Sequence, residues 1–299
     1  MLKEAVTKAR ERSVAAVVDS IRTLEGAGFP VRRPFPTAQL MQVDPFLLLD
    51  HLGPVRWGPG EGIGAPDHPH RGFETVTYLL SGEMEHKDSA GHSGRLRAGD
   101  VQWMTAGAGV VHSELPTAEF QRTGGVMHGF QIWVNLPARD KMIRPRYQDI
   151  PAARIPEATS PDGKAKVRVI AGNAMGRSAV IDTRTPIVYL HYTLRPGGEA
   201  MPEVRSDYNA LVYVLGGEVL AGEDGRAVRE GQMARLGEGE SVRLAVAADA
   251  KEPADLLLLA GAPLNEPVAR YGPFVMNTEK EIQQAIRDYQ SGRMGEIDF

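Results

Sequence analysis

The 299-residue chain predicts an all-β protein of two similar β domains followed by a C-terminal α-helix. Three observations point there. Short alternating segments, split by Gly, Pro and Asp about every ten residues, have the spacing of a sandwich or barrel. The pattern of the first half returns in the second, as an internal repeat does. Near the end the apolar period lengthens to that of a helix.

From about Arg12 to Leu136, runs such as "TVTYLLSGEMEHKDS", "SGRLRAGDVQWMTAGAG" and "GFQIWVNLP" place β-branched and aromatic residues between turn signals. The stretch "LPARDKMIRPRYQDIPAARIPEATSPDGKAK" is rich in Pro and charge, holds no period, and reads as a linker. A boundary near residue 150 follows, giving domains over 13–150 and 151–299. Beyond it, "LVYVLGGEV" and "GQMARLGEGE" echo "VTYLLSGEM" and "GDVQWMTAGAG" in order. Where His68 and His70 would fall, the second copy offers Met201, Pro202 and Glu203, so the chemistry is expected in the first half. In "NTEKEIQQAIRDYQSGRMG", Thr278 and Glu281 form a capping box, and Ile282, Ala285 and Ile286 follow at helical spacing. A closing helix is expected over about 278–290.

Composition excludes several function classes. There is no cysteine, so disulfides, Fe–S clusters, zinc ribbons and a thiol nucleophile are absent, and any metal must be held by N and O donors. The net charge is −4 with scattered basic residues, which argues against direct nucleic-acid binding. "ADLLLLAGAPL" falls far short of the ~20 apolar residues that span a bilayer. The opening "MLKEAVTKARERSVAAVVDSIRTLEG" alternates charge with short apolar pairs and does not read as a secretory signal, so a cytoplasmic protein is expected.

The chemistry-bearing residues cluster in two stretches. In "DHPHRGFETVTYLLSG", His68 and His70 share one face of an extended strand, about 6 to 7 Å apart at the Cα, close enough for two imidazoles to meet on one ion. Glu74 has the same parity and joins them if the strand runs unbroken, but a bulge at Gly72 would change that. In "AGAGVVHSE", His112 and Glu114 repeat the same-face spacing after a glycine-rich turn that Gly107 and Gly109 make possible. An isolated H-x-H also occurs as polar decoration of a strand; the second pair makes a metal site the stronger reading. A sulfur-free N/O set suits iron, manganese, nickel, copper or zinc.

Taken together, "HPHRGFETVTYLLSGEMEHKDSAGHSGRLRAGDVQWMTAGAGVVHSE", "HGFQIWVNLP" and "EPVARYGPFVMNT" resemble the pirin family of the cupin superfamily. The resemblance implies a bicupin, two antiparallel β-barrel domains with a C-terminal helix, in which only the N-terminal barrel binds metal. It places the metal ligands on His68, His70, His112 and Glu114, and implies iron, Fe(2+), as the usual ion. The general cupin pattern G-x5-H-x-H-x3-E-x6-G fits Gly62, His68, His70 and Glu74, whereas Gly82 comes one residue late and "GAG" replaces P-x-G before His112. Glu74 is accordingly left beside the ligand shell or as an alternate carboxylate, and Glu114 or Glu74 is the expected general base. The implied activity is quercetin 2,3-dioxygenase on a small aromatic or phenolic substrate with dioxygen. The alternative is a redox-sensitive regulatory protein acting through a protein partner, as one family member does.

Among the remaining residues, His128 shares parity with Phe130, Ile132 and Val134 and reads as a core histidine. His86 and His92 flank "KDSAG" and are expected in an exposed turn, while His51 and His191 have no spacing partner. Trp103, Met104 and Gln131 suit either a cavity wall or the core.

Overall fold

A computed structural model describes residues 10–299; the start of the segment read as lacking a secretory signal lies outside the described residues. The chain forms two compact units, each described by itself. The histidine-bearing unit comprises Ser20–Ile155, Ile181–Thr185 and Leu264–Phe299. Among the described residues, the second unit comprises those through Asp19, Pro156–Val180 and Pro186–Pro263.

In the histidine-bearing unit a seven-stranded antiparallel sheet has the spatial order Arg146–Ile150, Val101–Thr105, Phe73–Ser81, Gly125–Asn135, Phe46–Trp57, Phe29–Phe35 and Ile21–Glu25. A four-stranded sheet follows the order Ala65–His70, Val110–Pro116, Glu83–Asp88 and Ser93–Arg97. Thr77 and Gln131 of the larger sheet reach Glu114 of the smaller, so the two sheets face each other across the unit's interior. The second unit repeats this plan. Its large sheet runs Val14–Asp19, Gln232–Leu236, Asn209–Gly216, Ala254–Gly261, Ile187–Leu194, Ala165–Ala171 and Glu157–Thr159. Its small sheet runs Glu199–Ala200, Leu244–Ala245, Glu218–Ala221 and Arg226–Arg229. Position by position the orders correspond, so the internal echo of the sequence is an echo of topology.

Two expectations need correction. The sheets are open rather than closed barrels: Gly72, at φ +88°, turns the chain between the consecutive strands Ala65–His70 and Phe73–Ser81, which enter different sheets. The units also do not divide at residue 150. Val14–Asp19 pairs with Gln232–Leu236 at the edge of the second unit's sheet, the place that Arg146–Ile150 takes in the histidine-bearing unit. Leu264–Phe299, with the helix, belongs to the histidine-bearing unit. Alternation marks a strand but does not say whose edge it completes.

The two interiors differ in chemistry. In the second unit Val212, Leu244, Leu256 and Leu258 are fully buried in one apolar cluster. The corresponding interior of the other unit buries His70, His112 and Glu114. The helix forms as expected over Glu279–Gln290: Thr278 Oγ1 accepts from the Glu281 backbone N–H, and Glu281 returns its carboxylate to the Thr278 N–H. Its buried side packs Ile282 and Ala285 against Val111, Phe274 and Met276, with Ile286 half-buried beside them. Among the described residues, no helix is long and apolar enough to cross a membrane.

Candidate metal centre

Strands Ala65–His70 and Val110–Pro116 pair antiparallel, with His112 opposite His68 and Val110 opposite His70. Register thus joins two H-x-H/E pairs that lie far apart in sequence. One ring nitrogen from each of His68, His70 and His112 lies within 4.8 Å of the others. The ring centroids stand 4.4 to 4.9 Å apart. A register shift between His112 and Glu114 then sets Glu114 opposite Ala65.

The hydrogen bonds around the rings decide which nitrogen faces inward. His68 Nδ1–H donates to the Pro66 carbonyl at 2.7 Å, and His70 Nδ1 lies 3.5 Å from the Pro273 carbonyl. This leaves the two Nε2 atoms bare toward each other, 3.0 Å apart. His112 is fully buried and, among the described residues, neither of its ring nitrogens has a hydrogen-bond partner. An orphaned imidazole in that position costs free energy unless something else meets it. Burial, reinforced by the neighbouring imidazoles, holds His70 and His112 well below the ordinary histidine range, so both are neutral near pH 7, the form that binds a metal. Two nitrogens bound to one ion at roughly 2.1 Å stand about 3 Å apart when they occupy adjacent corners, which matches His68 and His70. The residues therefore fit a transition-metal ion.

Glu114 is buried beside the trio. Its Oε1 accepts from Thr77 Oγ1 at 2.7 Å and its Oε2 from Gln131 Nε2 at 3.0 Å, which fixes the carboxylate. Glu74 is placed elsewhere. The break at Gly72 starts a new strand in which Thr77 faces Glu114 and Glu74, three residues earlier, faces the opposite side. There its Oε1 accepts from Thr105 Oγ1 at 2.6 Å, and burial raises its carboxyl against the opposing effect of Thr105 and Trp103. The structure thus brings together His68, His70 and His112, places Glu114 on the wall of the same cavity but outside that cluster of three, and turns Glu74 to the other face of its sheet. Of the side chains weighed for the cavity, Gln131 lines it, while Trp103 and Met104 are fully buried.

Other histidines differ in part from expectation. His86 is buried, stacked on Tyr147 at 5.0 Å, with Asp149 Oδ2 3.4 Å from its Nε2, because the strand Glu83–Asp88 turns alternate residues inward. His92 is half-exposed and meets Asp88 Oδ2 at 2.9 Å. His51 does have a partner that spacing could not reveal: its Nε2 lies 2.7 Å from His128 Nε2 across paired strands.

The residues that hold the centre in shape were mostly illegible in sequence. Arg71, next to His70, donates Nε to the Ala108 carbonyl at 2.6 Å and Nη1 to Asp288 of the C-terminal helix at 2.7 Å. Lys141 Nζ donates to Gly72 O, Asn135 Oδ1 and Val275 O at 2.8, 2.7 and 3.0 Å. Gly107, at φ +49°, makes the turn expected of it, and a Cβ there would lie 2.2 Å from the Ile143 carbonyl oxygen. The only local sign of these supports was the glycine pattern.

His68, His70 and Glu114 line a cavity of about 520 Å³ whose wall also includes Leu48, Trp133 and Arg270. Family models described as "Pirin" and "Pirin C-terminal cupin domain" match residues 28–134 and 189–295. A pirin-like protein of Solanum lycopersicum is 45% identical over 287 residues, covering 96% of this chain and 94% of that protein. The chain belongs to the pirin family. Human pirin is 42% identical over 289 residues, covering 95% of this chain and 94% of that protein. Among solved structures, a quercetin 2,3-dioxygenase from Acinetobacter baumannii superposes with a TM-score of 0.89 at 39% identity, covering 96% of this chain and 99% of that one. Both halves of this pirin are thus cupin domains, and its imidazole cluster lies in the first.

Proposed function

We propose that this pirin is a metal-dependent dioxygenase of small phenolic compounds, quercetin-type flavonols or related phenolics. Its ion is iron(II), held by His68, His70, His112 and Glu114. The observation that carries the reading is an imidazole trio in which His70 and His112 are buried and, among the described residues, neither His112 nitrogen has a partner, with His68 and His70 on the wall of a cavity of about 520 Å³. An ion held there supplies Lewis acidity toward a phenol oxygen and redox chemistry toward dioxygen.

The chain's own residues supply binding, orientation and proton handling. His68 and His70 keep their Nδ1–H groups on backbone carbonyls and so present Nε2 lone pairs inward. Thr77 and Gln131 each occupy one lone pair on Glu114, so each carboxylate oxygen keeps another. Glu114 then serves as ligand through one oxygen and takes the phenol proton at the other. Leu48 and Trp133 wall the cavity and exclude water from the aromatic ring. The general-base role falls on Glu114 alone, since Glu74 faces away. Supplying iron-loaded protein with quercetin should give oxygen uptake matched to quercetin loss, with release of carbon monoxide. A protein with its site filled that shows neither contradicts the proposal.

A further inference from the structure

The cavity over His68 and His70 contains two arginines in unlike situations. Arg33 is paired with carboxylates: its Nε and Nη2 donate to both oxygens of Asp50 at 2.6 and 2.5 Å, and Nη2 also pairs with Glu25. Glu25 and Asp50 both direct their hydrogen bonds to that guanidinium. Arg270, in the strand Ala269–Tyr271, is half-buried and donates Nη1 to the Leu47 carbonyl at 3.2 Å. Among the described residues no carboxylate lies within ion-pair reach of it. A guanidinium has five N–H donors in a fixed plane, so most of those on Arg270 await a partner.

Its position relative to the imidazoles is set by stacking. The Arg270 Cζ lies 4.9 Å from the centroid of Trp133, and that ring stands 5.2 Å from the ring of His70. The guanidinium is therefore no more than about 10 Å from the His70 imidazole, along the same cavity wall. A benzene ring with polar groups at opposite ends spans that gap. A ligand with an uncharged far end would cover the guanidinium without satisfying it, at the cost of its hydration. A carboxylate there would instead accept two parallel N–H bonds.

We infer that Arg270 determines specificity, selecting aromatic diols that carry a carboxylate at the end opposite the oxygens meeting the histidine cluster. This rests on the proposed function for the location of the diol and adds the chemical class of the rest of the substrate. The test reads binding rather than turnover. Ferric-loaded protein is titrated with benzene-1,2-diol and with 3,4-dihydroxybenzoate, following the visible charge-transfer band. The acid should bind about 10- to 100-fold more tightly, the range of one charge-assisted contact. In Arg270→Gln the preference should fall to within about twofold, through lost affinity for the acid. Arg270→Lys, which keeps the charge without the fork, should retain part of it. Equal affinities in the wild type, a preference that survives Arg270→Gln, or no band with either probe overturns the inference. An Arg270-dependent preference without oxygen uptake on any phenol removes the dioxygenase reading and leaves this one standing. Oxygen uptake on neutral phenols with no preference for the acid does the reverse.

Discussion

Replacing Asp288 with asparagine asks whether charge, rather than shape, anchors the C-terminal helix beside the histidines. Arg71 Nη1 donates to Asp288 Oδ2 at 2.7 Å, while Gln284 Nε2 and Arg293 Nε donate to Oδ1 at 2.6 and 2.8 Å. The Arg71 and Asp288 side chains are 6% and 12% exposed, so water screens the pair little. Burial by itself would raise the carboxyl, but the donors from Arg71, Arg293 and Gln284 outweigh it and hold it at about 2, against an ordinary 3.8. Because the folded-state value lies below the unfolded one, the contribution is complete well above the unfolded pKa and is lost as pH falls through about 2. The gap corresponds to about 2 kcal/mol at neutral pH, with roughly half of it gone by pH 3. Urea unfolding of wild type and Asp288→Asn at pH 7, 5 and 3 reads the difference directly. It should be about 2 kcal/mol at the two higher values and about 1 kcal/mol at the lowest. A difference that does not change with pH would refute the electrostatic reasoning and assign the effect to packing.

Thr77→Val removes the hydroxyl that orients Glu114 and should weaken metal binding about tenfold, measured against a competing chelator, while lowering stability by about 1 kcal/mol. Glu74→Gln should leave metal content and oxygen uptake unchanged. Because burial raises the Glu74 carboxyl, ionising it disfavours the folded state above the unfolded pKa. The neutral amide should therefore unfold at equal or higher urea at pH 7, and loss of metal from this variant would contradict its placement away from the site.

The sequence was most legible where the physics is local. Thr278 and Glu281 announced the helix because a capping box is closed within one turn, and the shared strand of His112 and Glu114 was legible because parity acts over two residues. The extended reading of Glu74 failed at one residue, Gly72, whose positive φ resets parity before the next strand. Long-range pairings left no trace in the pattern. Nothing in "SVAAVVDS" says that Val14–Asp19 completes the second unit's sheet, since every open edge presents the same backbone groups. Nor does the polar residue at 288, on the buried side of an otherwise apolar stripe, disclose its partner Arg71, which lies 217 positions away. His86 was misjudged for a related reason: a turn was visible at "KDSAG", but the strand leading into it was long enough to bury alternate side chains.

The central claim is that His68, His70, His112 and Glu114 form one site for one ion. Elemental analysis of the wild type and of the four single alanine variants, each loaded with iron and then passed over a desalting column, tests it most directly. The account predicts one iron per chain in the wild type and far less than stoichiometric iron in every variant, with His112→Ala the emptiest because no second donor reaches its buried position. Stoichiometric iron retained by His112→Ala would contradict it.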